Sequence, residues 1–251
     1  MFIGIDLGTS NSSLAVFDGD SVVVVPNSLG ENLTPSVVRM DARGAIVTGR
    51  KAYGFLESDP ANTWGEFKRL MGTGDRLPFA AAQQELLPEE LSAKVIASLL
   101  ADARDGLGFL PRAAVISTPA LIELPQNHAT MRAAKLAGLS EVALMQEPIA
   151  SAIAAGWRSE PEGMWLVFDL GGGTLDVSLL KTQEGRLRVR RFRSTSSACC
   201  APRPPRSPPP RGYSRPASGP RRTRGHRPPA EARDRRRPRA PPHRSGPPRR
   251  P

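Results

Sequence analysis

The sequence is poor in cysteine, in aromatic residues and in long apolar runs. Its two cysteines, Cys199 and Cys200, are adjacent, so they provide neither a disulfide framework nor the spacing of metal ligands. No run approaches the roughly 20 apolar residues of a membrane-spanning helix. Met1 leads directly into the strand-like Phe2–Leu7, without the basic and apolar regions of a signal peptide. We therefore expect a cytoplasmic protein without a membrane partner.

The C-terminal segment, residues 192–251, lacks Leu, Ile, Val, Met, Trp and Lys altogether. It contains 17 Arg and 16 Pro but only two acidic residues, Glu231 and Asp234, so its formal charge is +15. Because the whole chain carries +11, residues 1–191 carry −4. A segment without aliphatic side chains cannot bury enough apolar surface to offset its ordering entropy. We expect a folded body over residues 1–190 and a disordered basic tail over residues 191–251.

Three explanations of the basic tail remain open. It is a segment that binds nucleic acid without sequence preference, a Pro-rich ligand for small recognition domains, or an out-of-frame reading of a GC-rich gene. The composition changes abruptly inside a strand-like segment, which favours the third explanation. Phe192 and Tyr213 are the tail's only aromatic residues, too few for a platform on which bases stack.

The first half of the body favours short strands followed by one long helix. Polar turns separate β-branched runs, which predict strands. These strands are Phe2–Leu7, Ser13–Phe17, Ser21–Val25, Pro35–Met40 and Ala45–Val47. Helical spacing follows from Ala52 toward Lys68. The strongest helix prediction covers residues 88–107, where Pro88 stands in the first turn and Leu91 begins a series of apolar residues in four-residue steps.

The second half of the body alternates strands with helices. The predicted strands are Ala113–Ser117 and Val142–Met145, and the predicted helices are Gln126–Ala137 and Pro148–Gly156. Such alternation is typical of an α/β sheet. Two further strands, Trp165–Asp169 and Asp176–Leu180, flank a glycine-rich turn.

One short motif occurs twice, each time between two predicted strands. It is Asp6-Leu7-Gly8-Thr9 near the start and Asp169-Leu170-Gly171-Gly172-Gly173-Thr174 later. Glycine lets the backbone approach a ligand and present its amides to an anion. A carboxylate at the end of the first strand can hold hydrated Mg²⁺, which bridges phosphate oxygens. One such turn alone would be ordinary, but the pair indicates a polyphosphate site that is neither a P-loop nor a Rossmann site.

The two hairpins resemble those of actin-like nucleotidases, and further segments resemble the Hsp70 chaperones in order and spacing. The matching segments are Ile3–Ser12, Phe67–Gly72, Val115–Ala120, Met145–Ala152 and Val167–Ser178. Sugar kinases and bacterial actins share the hairpins, but the lysine and Glu-Pro segments favour Hsp70. The short insertion region and Leu139–Met145 resemble the HscC-like branch. The resemblance covers roughly residues 1–190 and implies an α/β, actin-like ATPase (ribonuclease H-like) lobe I with the start of lobe II.

The resemblance implies that ATP or ADP binds with Mg²⁺ between the two hairpins. The residues expected to contact phosphate are Gly8, Thr9, Ser10, Gly171, Gly172, Gly173 and Thr174. Asp6 and Asp169 are expected to hold Mg²⁺ through its water shell.

The catalytic residues that the resemblance implies are Lys68, Glu147, Asp169 and Thr174. Lys68 matches the family's lysine beside the γ-phosphate, where a cation stabilises charge on the transferring group. Glu147 matches the acid that orients the attacking water or a metal-bound water. Without the resemblance, Lys68 would be interpreted as a solvated helix charge and Glu147 as a helix N-terminal charge beside Pro148.

The function implied is that of an ATP-dependent chaperone for unfolded polypeptides, working with a J-domain co-chaperone and a nucleotide exchange factor. Two departures from the family pattern argue against normal coupling between nucleotide state and a peptide-binding domain, but not against nucleotide binding. Where the family has Pro-Ala-Tyr-Phe, this chain has Pro-Ala-Leu-Ile at Pro119–Ile122. Asn127 stands where the family has a basic residue that relays nucleotide state between domains. The family's second glycine-rich segment and peptide-binding β-sandwich have no counterpart after Val189. We expect a truncated or frameshifted form that binds nucleotide weakly and is inactive as an ATPase. The alternatives are another actin-like ATPase or sugar kinase relative, and a nucleic-acid-binding protein built on the basic tail.

Overall fold

The computed structural model describes residues 2–158, 162–172 and 174–196. All of them belong to one compact unit, residues 1–202. The predicted disorder of the basic tail beyond Ser196, both cysteines and the predicted phosphate contact of Gly173 lie outside the described residues. No helix in the described part of the chain is long and apolar enough to cross a bilayer.

The chain first forms short strands and then mixes strands with helices. In chain order the elements are β1 Phe2–Asp6, β2 Asn11–Phe17, β3 Val22–Val24, β4 Thr34–Pro35, β5 Val37–Met40, β6 Ile46–Thr48, α1 Arg50–Tyr53, β7 Thr63–Gly65, a 3₁₀ turn Phe67–Leu70, β8 Leu77–Phe79, β9 Gln84–Leu86 and α2 Pro88–Leu107. They continue with β10 Ala113–Thr118, α3 Leu124–Leu136, β11 Glu141–Gln146, α4 Glu147–Ala154, β12 Glu162–Leu170, β13 Thr174–Gln183 and β14 Arg186–Ser196.

The main sheet has the order β11-β10-β1-β2-β3, with β4 also paired to β2. Strand β1 is antiparallel to β2 and parallel to β10, and β10 is parallel to β11. Alternate side chains of β1, Ile3 and Ile5, are buried in one core with Leu91, Val95 and Leu99 of α2. Alternate residues are buried in β1, and every fourth residue is buried in α2. These two patterns of apolar residues made both the strand and the helix predictable from the sequence. The α/β class predicted from the sequence is therefore confirmed.

The segment between Ala52 and Lys68 differs from its predicted helical conformation. Only the four-residue α1 is helical, and β7 and the 3₁₀ turn follow. Pro60 explains the failure, because proline lacks an amide hydrogen and disfavours helical geometry in the residue before it. Trp64 then pairs with Val38 of β5, so the segment contributes a strand where helical spacing suggested a helix.

The last three strands form a separate antiparallel sheet in the order β12-β13-β14. Strand β14 continues to Ser196, beyond the boundary predicted at residue 190. The apolar side chains of β12 and β13 differ in exposure. In β12, Leu166 and Phe168 are exposed, at 57% and 65%, whereas Val177 of β13 is half-buried. Val177 pairs with Phe168 of β12 on one side and with Arg193 of β14 on the other.

Candidate functional site

The first glycine hairpin joins β1 to β2 at the edge where Asp6 ends its strand. Leu7 is buried and anchors the turn in the core. Gly8 follows, and a Cβ atom there would overlap the backbone carbonyl oxygen of Asn11. Only glycine therefore fits this position, because the backbone of Asn11 lies too close to leave room for a side chain.

The second glycine hairpin joins β12 to β13. The amide of Gly171 donates to the carbonyl oxygen of Thr174 at 2.9 Å, which closes the turn. A Cβ atom at Gly172 would overlap the Ser10 side chain, so the two hairpins meet in space at these residues. The fold thus brings together two turns that are separated by more than half of the described chain.

Lys68 and Glu147 form an ion pair in the same region. Lys68 stands in the 3₁₀ turn after Glu66, whose backbone is left-handed, and Glu147 is the first residue of α4. Their Nζ and Oε1 atoms are 3.0 Å apart, and the side chains are 16% and 18% exposed. Burial raises the pKa of Glu147 above its ordinary value, against the lowering effect of Lys68.

The carboxylates of Asp6, Asp169 and Asp176 line the same cleft as the ion pair. Asp169 faces Asp176 across β12 and β13, and Oδ1 of Asp176 is buried without a hydrogen-bond partner among the described residues. Burial raises the pKa of Asp169, and the carboxylates of Asp176 and Asp6 raise it further. Oδ1 of Asp6 accepts a hydrogen bond from Ser117 Oγ at 2.6 Å.

The predicted site residues line one cleft of about 950 Å³. They are Asp6, Gly8, Thr9, Ser10, Lys68, Glu147, Asp169, Gly171, Gly172 and Thr174. Sequence reasoning missed Ser117 and Asp176, which line the same cleft. Both were inside segments quoted for the family resemblance, so their position in those segments was the available signal.

The cleft has donors and acceptors that fit a magnesium–polyphosphate ligand. Crowded carboxylates at Asp6, Asp169 and Asp176 create repulsion that a divalent cation relieves, and the unpartnered Asp176 oxygen is a free acceptor for a metal-bound water. Lys68 brings the cation needed near phosphate charge. The residues present therefore fit the cofactor that the sequence predicted.

Comparisons with known proteins identify relatives of this chain. The Hsp70 protein family matches residues 2–197. A chaperone protein HscA homolog of Bordetella petrii is 41% identical over 204 residues, which cover 74% of this chain and 33% of the relative. Homologues of the same name in Laribacter hongkongensis and Chromobacterium violaceum are each 40% identical over 205 residues, with the same coverage.

The chain thus spans about a third of the length of the curated relatives it matches. The likeness to the HscC-like branch stays a prediction, since these relatives carry the HscA name. The family match covers both glycine hairpins and the Lys68–Glu147 pair that they face. On this evidence, the chain belongs to the Hsp70 family.

Proposed function

We propose that this chain is the phosphate-binding and magnesium-binding part of an ATP-dependent Hsp70-type chaperone. The observation that supports this proposal most is the Lys68–Glu147 ion pair, which lies in one cleft with both glycine hairpins. A partly buried ion pair and crowded carboxylates are not expected beside an ordinary surface turn. Contacts to phosphate, a nearby cation and carboxylates that hold Mg²⁺ are recurring parts of phosphoryl-transfer sites.

Each residue group has a distinct part in the proposed chemistry. The amides of the first hairpin and the hydroxyl of Thr174 would contact phosphate oxygens from opposite sides. Asp6 and Asp169 would hold the water shell of Mg²⁺, which neutralises phosphate charge when bound. Lys68 would stabilise charge on the terminal phosphate, and Glu147 would accept a hydrogen bond from the attacking water.

We also propose the partners that the family resemblance implies. They are unfolded polypeptides, a J-domain co-chaperone and a nucleotide exchange factor, in the cytoplasm. The relatives are named chaperones, which supports the client class. Asn127 stands where the family has a coupling cation, so we propose that nucleotide state is only weakly relayed to a peptide-binding domain. Asn127 lies in α3, outside the cleft.

On its own, the 251-residue polypeptide should bind nucleotide weakly and turn it over negligibly. The cleft residues identified above supply phosphate and magnesium contacts, and none is assigned to adenosine. A phosphate site open to water is poorly preorganised, and its electrostatic interactions are weakened by solvent. We therefore propose that this polypeptide has impaired activity compared with the longer relatives.

Nucleotide titration of the full chain tests this function. We expect calorimetry to give an Mg·ATP affinity weaker than micromolar, and NMR amide shifts to concentrate at Gly8–Ser10 and at Gly171 and Gly172. The Gly172→Ala variant should lose these shifts, because its Cβ overlaps Ser10. Gly163→Ala is the matched control in the same sheet, since its Cβ would make only ordinary contacts at 3.8 Å.

The possible outcomes separate the two parts of the proposal. Micromolar affinity with shifts at the hairpins would contradict the impaired binding and leave the site standing. Shifts confined to residues outside the cleft, or unchanged by Gly172→Ala, would contradict the site itself.

A further inference from the structure

Two buried serines close a ring of hydrogen bonds behind the first glycine hairpin. The Gly8 amide donates to Ser12 Oγ at 3.2 Å, and Ser36 Oγ donates to the Gly8 carbonyl oxygen at 2.8 Å. The two hydroxyl oxygens are 2.9 Å apart. Because Ser36 uses its hydrogen on Gly8, Ser12 must be the donor between the serines. The direction of every bond in the ring is therefore fixed.

The ring is shielded from water and joined to the hairpin by a further bond. Ser12 is 1% exposed and Ser36 is 2% exposed. The Ser36 amide donates to the carbonyl oxygen of Ser10 at 2.8 Å. Ser36 thus holds both Gly8 and Ser10, although it lies far along the chain between β4 and β5.

We propose that Ser36 and Ser12 are positioning residues for the anion-binding loop Gly8–Ser10. The ring consumes both polar backbone groups of Gly8. Among the described residues, no hydrogen bond uses the amides of Thr9 and Ser10, which line the cleft. The serine ring therefore binds the backbone groups of Gly8 and leaves the amides of Thr9 and Ser10 available to a ligand. This inference rests on the proposed function, because it assigns those free amides to phosphate.

The energetic argument follows from burial. Removing one hydroxyl leaves a buried partner without a hydrogen bond, and a buried unsatisfied group is disfavoured. The loop relieves this by moving toward water, which displaces the Thr9 and Ser10 amides from the geometry that a phosphate requires. An unsupported loop would therefore bind phosphate more weakly even while the protein stays folded.

The test uses Ser36→Ala, Ser12→Ala and the double variant of the full chain. Ser92→Ala is the matched control, since Ser92 is fully buried in α2 and its hydroxyl contacts Met71 Sδ at 3.2 Å, away from the hairpin. We expect each ring variant to accelerate exchange of the Gly8 amide hydrogen and to weaken Mg·ATP binding about three- to tenfold. The double variant should be weakened little more than either single variant, since the ring acts as a unit.

The control should show neither effect at a temperature where all variants are folded. Unchanged Gly8 exchange in Ser36→Ala, or equal weakening of binding by Ser92→Ala, would overturn the inference. If the wild-type chain bound no Mg·ATP at any concentration, the proposed function would fail, while the exchange measurement would still decide whether the ring holds Gly8.

Discussion

Breaking the Lys68–Glu147 ion pair should destabilise the protein measurably. At 3.0 Å and an effective dielectric constant of about 20, the two charges attract by about 5.5 kcal/mol. Desolvation offsets part of this attraction, because both side chains are more than four-fifths buried. Exposed pairs contribute under about 1 kcal/mol, and loss of one partner of a fully buried pair costs about 3–5 kcal/mol. We expect Lys68→Met to cost about 2 kcal/mol at neutral pH, between these limits.

A double-mutant cycle measures the pair itself. Urea unfolding of wild type, Lys68→Met, Glu147→Gln and the double variant should give a coupling free energy of about 1–2 kcal/mol. The Arg50–Glu31 pair is the matched control, because its side chains are 50% and 38% exposed. Its cycle should give less than about 0.5 kcal/mol. Additivity within about 0.5 kcal/mol for the Lys68–Glu147 cycle would refute the reasoning.

Three further predictions concern pH, a glycine and the basic tail. Burial raises the folded-state pKa of Glu147, so ionisation of this carboxyl destabilises the folded state. The stability of wild type relative to Glu147→Gln should therefore fall as pH rises from about 4 to about 7. Denaturation midpoints that show the opposite trend would contradict this prediction. Gly72→Ala should cost about 2–3 kcal/mol, because its φ is 77° and its Cβ would lie 2.7 Å from the Pro125 carbonyl carbon. The control, Gly74→Ala, has a similar φ but open space and should cost about 1 kcal/mol; equal losses by thermal unfolding would be a contradiction. Residues 197–251 contain 16 Arg and only two acidic residues, so the chain should bind polyanions in a salt-dependent manner without sequence preference. In a filter-binding assay, removal of this segment should abolish the polyanion binding. Sequence-selective binding at physiological salt by the remaining chain would contradict this prediction.

Much of the fold could be predicted because local patterns agreed with tertiary structure. The α2 helix had a proline in its first turn and a regular apolar stripe, and its observed bounds match the predicted ones. The pairing of two glycine hairpins followed from a repeated motif, and in each hairpin a glycine stands where a Cβ atom would overlap a neighbour. Lys68 could not be placed by periodicity, because it stands in a 3₁₀ turn next to a left-handed residue.

The groups that support the site were harder to predict than the groups that face the ligand. Ser36 reaches Gly8 across 28 positions, and a serine in a Thr-Pro-Ser stretch gives no sign of a buried partner. Asp176 became visible only through its register opposite Asp169. The boundary of the folded body was predicted too early, at residue 190, because the sequence from Arg188 onward is rich in arginine. Ten residues of β13 nevertheless pair with β14, which continues to Ser196. Backbone pairing with β13 thus overrides the composition of that strand.

Replacing Mg²⁺ by paramagnetic Mn²⁺ in the presence of ATP tests the central claim most directly. The NMR amide signals nearest the bound ion broaden first, so the experiment locates the metal–phosphate ligand on the full chain at physiological salt. The account predicts early broadening at Gly8–Ser10, at Gly171 and Gly172, and at the strand ends that carry Asp6 and Asp169. Broadening confined to the basic tail or to α3, with the two hairpins unaffected, would contradict it.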